Sequence, residues 1–198
     1  MKKDITQTNT RELLLLAANQ LVLAEGVIHL TLEAVAKKAG VSKGGLLYHF
    51  PSKEALIKSL IEHLNAQFEG EVARHLETSN EPQAAENRAT GSWLRAYIRA
   101  TFDASKLADN WLGSSAAILT AISTNPQLLE PFRNSFASYQ QQAEQDGLDP
   151  ALATIIRLAA DGLWLAELFK LAPPGGVLRE QVELLLLELS RGDIHKKG

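Results

Sequence analysis

The sequence predicts an all-α protein in which a small N-terminal three-helix part precedes a larger helical part, about nine helices together. Three observations carry this. Apolar residues recur at three- and four-residue spacing along nearly every long segment, as one buried face of a helix requires. No run of β-branched residues alternates with period two. Gly26, Gly40, Pro51, Pro82, Pro126, Gly147 and the run APPGG fall between the periodic segments, where helix breakers belong.

Taken in order, the first helix is expected from Thr10 to Glu25, with Leu13, Leu14, Ala17, Leu21 and Ala24 on one face and Gly26 as its stop. Thr31 caps a short second helix, LEAVAKKA, whose Glu33 suits the positive end of the helix dipole and whose Leu32, Val35 and Ala36 face inward. Gly40 closes it. Ser42 caps a third helix reaching Phe50, with Leu46 and Phe50 as core residues, and Pro51-Ser52 stops the chain and restarts it. From Lys53 a long helix runs to Leu76 with Leu56, Leu60, Leu64 and Phe68 at near-four spacing, followed by a polar loop, ETSNEPQAAEN. Further helices are expected over Gln83 to Leu107, Asn110 to Thr124, Gln127 to Asp146, Pro150 to Leu171 and Val177 to Arg191.

A chain of 198 residues with 45% hydrophobic and 22% charged residues has enough apolar side chain for a sizeable core and no like-charge block that would prevent folding. It contains no cysteine, which excludes disulfides, thiolate metal sites and a cysteine nucleophile, and agrees with a cytoplasmic location. No signal peptide is read at the N-terminus, where Asn19 and Gln20 break the apolar run. The long apolar stretch from Pro150 to Ala172 is interrupted by Arg157, Asp161, Glu167 and Lys170, so it reads as a buried helix and not as a membrane span. Up to Lys58 the chain holds eight basic and five acidic residues, whereas the remainder holds 12 basic and 18 acidic. A basic end on an acidic body suits contact with phosphates at that end alone.

Enzymatic signatures are absent. Neither His63 nor His75 has a glutamate three residues before it, so the di-metal motif of helical bundles is not formed. There is no Gly-x-Ser-x-Gly, Walker loop or Gly-x-Gly-x-x-Gly. The chain is therefore expected to be no enzyme and to use no metal or cofactor.

Two short helices joined across Ala39-Gly40-Val41 have the spacing of a helix-turn-helix, whose second helix enters the DNA major groove. Gly44 and Gly45, in the first turn of that helix, would let its backbone approach DNA closely, and Lys43, Tyr48, His49 and Lys53 supply donors along one strand. Thr31 to Leu56, TLEAVAKKAGVSKGGLLYHFPSKEAL, resembles the DNA-binding segment of TetR-type transcriptional regulators. The resemblance covers about 45 to 50 residues with the first helix included. It implies a helix-turn-helix domain over residues 1–52, a ligand-binding and dimerisation domain over 53–198, and phosphate contacts by His49 and Lys53. The DNA-binding set expected from these readings together is Thr31, Lys37, Ser42, Lys43, Gly44, Gly45, Tyr48, His49 and Lys53. The family's commonest pattern has tyrosine at the position of Leu47 and threonine or serine at that of Gly45; here the tyrosine follows one place later, at Tyr48. Few side chains remain for direct base readout, so Lys43, Tyr48, Lys37 and DNA shape are expected to supply specificity.

The resemblance further implies a repressor that binds a palindromic double-stranded operator as a homodimer and is released by a small-molecule inducer. The aromatics Trp93, Tyr97, Phe102, Trp111, Phe132, Phe136, Tyr139 and Trp164 gather in the second part, either as core or as pocket; Trp93, Tyr97, Phe102, Trp111, Phe136 and Trp164 are the candidate ligand contacts. Arg157 and Asp161, four apart on one helix, are expected to pair with each other. The last two helices are apolar nearly all round, which predicts that they pack on their own domain with one face and on a second copy with the other.

Overall fold

A computed structural model describes residues 2–78, 90–103, 111–122 and 125–192, with side chains for all of these except 2–9, 111–112, 117 and 120–122. Among the described residues there are nine α-helices and no strand: α1 Lys2–Glu25, α2 Leu32–Ala39, α3 Lys43–His49, α4 Lys53–Thr78, α5 Ser92–Asp103, α6 Trp111–Ile122, α7 Glu130–Glu144, α8 Pro150–Phe169 and α9 Gly176–Leu189. No helix among them is long and apolar enough to cross a membrane. The polar stretch expected as a loop after α4 lies almost wholly outside the described residues. Two compact units form, one from Met1–Ala66 with Ala108–Arg133 and the other from Gln67–Leu107 with Asn134–Gly198. α4 and α7 each contribute to both.

In the first unit α1 packs on α2 and α6, and α2 on α3. The core is built from Leu14, Leu15, Ala18 and Val22 of α1, Val35 of α2, Leu46 and Phe50 at α3, Leu56, Leu60 and Ile61 of α4, and Ile118 of α6. The face expected for α1 is therefore rotated. Leu14 and Ala17 are buried, but Leu13 is 46% exposed and Ala24 is exposed, while Leu15, Ala18 and Val22 are inside. The reason is the run Leu13 to Leu16: four successive leucines satisfy more than one helical phase, and the neighbours on α2 and α6 choose among them. α1 also begins at Lys2, eight residues before the expected start at Thr10.

In the second unit α5 is central and packs on α8 and α9, burying Trp93, Leu94, Tyr97, Ile98 and Phe102. Its first turn is capped from far along the chain: Trp93 and Leu94 donate their backbone N–H groups to the Asp146 carboxylate at 3.0 and 2.8 Å. Gly91, just before it, has φ 78°, and a Cβ there would stand 1.7 Å from the Ser190 carbonyl oxygen. α7 starts later than Gln127 because Pro131 is tolerated only in a helix's first turn; Pro126–Leu129 form a 3-10 turn instead, capped by Asn125. Asp149 caps α8, accepting from Leu152 N at 3.0 Å with Pro150 at the first helical position.

α8 and α9 each carry apolar residues on two faces. α8 buries Ala153, Ile156, Ala160 and Leu163, yet Ile155 is 61% and Leu158 is 54% exposed. α9 buries Leu186 and leaves Leu184 and Leu185 at 66% and 55% exposure.

Candidate functional site

The α2–α3 pair is assembled by short-range capping. Thr31 Oγ1 accepts from Ala34 N and Ser42 Oγ from Gly45 N, each at 3.1 Å, so both short helices have a side-chain N-cap. Between them Gly40 adopts the left-handed region at φ 71°, and Val41 N donates to Ala36 O at 3.0 Å, the six-to-one bond of a glycine-closed helix end. Leu46 and Phe50, 0% and 1% exposed, seat α3 on the core. The opposite stripe, Lys43, Gly44, Leu47 and Tyr48, is exposed.

The site residues are distributed unevenly around this frame. Thr31 and Ser42 are exposed but spend their oxygens on caps. Lys37 is exposed in the last turn of α2. Lys43 Nζ meets Glu33 Oε1 at 2.5 Å, and its hydrogen bond holds the Glu33 carboxyl below the usual range. Lys53 donates to the Ile28 carbonyl at 3.0 Å, which steers its ammonium to the mouth of the turn after α1. Tyr48 is 72% exposed, its ring edge-on to the half-buried His49 at 5.2 Å. The two glycines differ. A Cβ at Gly45 would sit 3.3 Å from Ser42 Oγ, whereas one at Gly44 would meet only that oxygen, at 4.0 Å, so the fold's own packing does not require glycine at 44.

The aromatic candidates of the second unit form a connected cluster. Trp93 stacks on Tyr97 at 4.9 Å, Phe68 stands edge-on to Tyr97 at 5.3 Å, Tyr139 lies 5.5 Å from Tyr97, and Phe136 links Tyr139 to Trp164 at 5.7 and 6.2 Å. Phe102 is buried beneath the Arg179 guanidinium, 4.8 Å from its centroid. The side chain of Trp111 lies outside the described residues, and Phe132 is buried in the first unit. The expected Arg157–Asp161 pair forms, with additions that no spacing foretold. Tyr97 OH donates to Asp161 Oδ1 at 2.6 Å, Arg157 Nε to Gln140 Oε1 at 2.8 Å, and Gln140 Nε2 to Thr154 Oγ1 at 2.8 Å. Burial pushes the Tyr97 phenol well up, so it stays protonated; burial also raises Asp161, against the lowering pull of Tyr97 and Arg157. Elsewhere in this unit, His75 Nε2 lies 3.3 Å from Asp103 Oδ2, and burial lowers the imidazole's pKa. A surface cleft of about 520 Å³ bordered by Thr90, Leu148, Asp149, Leu152 and Arg191 is a separate feature: Trp93, Tyr97, Phe102, Phe136 and Trp164 lie outside its lining. Among the described residues, no cluster of three or more His, Asp or Glu could hold a metal ion.

Two capped helices around a glycine turn, the second presenting an exposed stripe, define the helix-turn-helix class of DNA-binding regulators. Residues 14–60 match the family described as "Bacterial regulatory proteins, tetR family", and residues 91–191 match "Tetracyclin repressor-like, C-terminal domain". The second match alone spans more than half of the chain, which belongs to the TetR family of transcriptional regulators, a family of transcription factors and not of enzymes. The HTH-type transcriptional repressor BepR of Brucella suis biovar 1 is 44% identical over 52 residues, a stretch covering 26% of this chain and 25% of that protein. The fold is similar to that of SCO7518, a candidate transcriptional regulator of Streptomyces coelicolor A3(2), with TM-score 0.70, 19% identity, and 91% and 98% of the two chains covered. It is similar also to the multidrug binding protein EbrR, with TM-score 0.67, 21% identity, and 90% and 93% covered.

Proposed function

We propose that this chain is a ligand-responsive repressor that binds a palindromic operator as a homodimer and leaves it when a small-molecule inducer binds. The observation that carries this reading is the exposed stripe of α3, Lys43, Gly44, Leu47 and Tyr48, held outward by two capped helices. In this reading residues 1–52 form the DNA-binding domain. Lys43, Tyr48 and Lys37 face bases or backbone, His49 and Lys53 face phosphates, Gly44 and Gly45 admit the groove wall, and Thr31 and Ser42 hold the helix ends at the duplex. Residues 53–198 form the ligand-binding and dimerisation domain.

The second copy covers the outer faces of α8 and α9, where Ile155, Leu158, Leu184 and Leu185 expose more apolar surface than a lone helix pair keeps in water. The inducer is taken by the aromatic cluster of the second unit, through Trp93, Tyr97, Phe102, Phe136 and Trp164. EbrR, of similar fold, has been crystallised with imidazole and with ethidium, which supports small-molecule binding by this chain. α4, which belongs to both units, is the lever: a ligand that prefers a separation of recognition helices unlike one DNA turn, about 34 Å, releases the operator. A cytoplasmic location follows from this role.

Selection of random duplexes on the purified protein at two salt concentrations tests the reading. The expected result is a palindrome bound less tightly as salt rises, with a log–log slope that falls by about 1 per protomer when Lys53 is replaced by alanine. Absence of enrichment, together with no binding even at low salt, would overturn it.

A further inference from the structure

We infer that Leu47 is a specificity-determining residue that recognises thymine through its C5-methyl group, an inference that rests on the DNA-binding reading of α3. The outward stripe of α3 is short on hydrogen-bonding chemistry. Lys43 supplies one ammonium, shared with Glu33 at 2.5 Å, Gly44 has no side chain, and Tyr48 offers one phenol. Between Lys43 and Gly44 on the flank of this stripe stands Leu47, 39% exposed, about a quarter-turn round the helix from the buried Leu46.

A helical side chain leans toward the N-terminus, so Leu47 lies over Lys43 and Gly44, and the missing Cβ at Gly44 leaves its methyl groups uncovered. Core packing accounts for Leu46 and Phe50 but not for a leucine turned outward here. In the major groove the apolar feature on base edges is the C5-methyl of thymine, while the other positions present hydrogen-bond donors and acceptors that a leucine would strand without partners. The basic balance of the first 58 residues, eight cationic against five anionic side chains, favours a duplex over a second protein surface as the occupant of this stripe. Close approach at Gly44 and methyl contact at Leu47 are one geometry: the first lets the helix sink far enough for the second to form.

Deoxyuridine tests this, because it removes the methyl group and keeps base pairing. Each thymine of the selected operator is replaced in turn, and the dissociation constant is measured for the wild-type chain and for Leu47→Ala, with circular dichroism confirming that the variant is folded. The expected result is a loss at one position of each half-site, about fourfold singly and about fifteenfold when both halves are substituted, the cost of leaving one methyl-sized group out of an apolar contact. Leu47→Ala should lose affinity for the thymine operator and show no further loss with uridine. Equal uridine sensitivity in both proteins would assign the methyl to another side chain, and no uridine effect, or a selected site lacking thymine, would overturn the inference while leaving operator binding intact. Failure of the wild-type chain to bind any duplex would instead remove the DNA-binding reading, and this inference with it.

Discussion

α3 and α9 are both helices with one face on a core, yet they leave opposite chemistry outside. α3, seven residues long, seats itself through Leu46 and presents Lys43, Gly44, Leu47 and Tyr48. α9, twice that length, fully buries Leu186 and leaves Val177, Leu178, Leu184 and Leu185 in water. A helix of two turns is not stable alone, so α3 depends on its cap and its core, and its surface is free to suit a polar partner. The α9 surface is costly unless something apolar covers it. Changes on α9 should therefore alter assembly, and changes on α3 should alter affinity for DNA with little effect on assembly.

The largest expected effect tests how firmly the α9 end is seated. Gly91→Ala places a methyl group on the Ser190 carbonyl at a positive φ, and should cost about 3 kcal/mol or more in urea unfolding at fixed protein concentration. A loss under about 1 kcal/mol would mean that the chain end yields, and that α9 is not a rigid surface. Next, Leu184→Glu combined with Leu185→Glu should convert the proposed dimer to a monomer in sedimentation equilibrium and weaken operator binding by about 100-fold, as several desolvated apolar contacts are lost. A dimer that survives would move the interface elsewhere.

A smaller and opposite pair of effects belongs to α3. Gly44→Ala removes a helix-disfavouring residue at a site with room for a Cβ, and should stabilise the protein by about 0.5 to 1 kcal/mol while lowering operator affinity about tenfold. Unchanged affinity would show that the groove wall does not come close at that residue. The smallest effect concerns a polar group that the second unit buries. Because the folded-state pKa of His75 is lowered, chiefly by burial, the unfolded chain takes up the proton first. The contribution is thus absent above the ordinary histidine range and becomes a loss of stability as pH falls through it. His75→Gln should flatten melting temperature between about pH 7.5 and 5.5, where the unmodified imidazole titrates.

The parts legible in the sequence are those whose causes lie within a few residues. Thr31 and Ser42 as caps, Gly40 and Gly26 as stops, Pro150 as a helix start, and Leu56, Leu60, Leu64 and Phe68 as a buried stripe all stand as expected. The pairing of Arg157 with Asp161 was legible for the same reason, since one helical turn separates them. The capping of α5 by Asp146 was not, because 53 residues separate the carboxylate from the N–H it accepts.

By itself the sequence determined the helical class, the order of helices, and a reading head whose turn, caps and glycines are chemically local. Only tertiary structure decided which of the four leucines in α1 face inward, that Tyr97 and Gln140 complete the Arg157–Asp161 network, and that glycine is sterically required at 91 but not at 44. The physical reason is range: a cap or stop acts within one helical turn, whereas burial, distant hydrogen bonds and steric closeness are set by whichever segments the fold brings together.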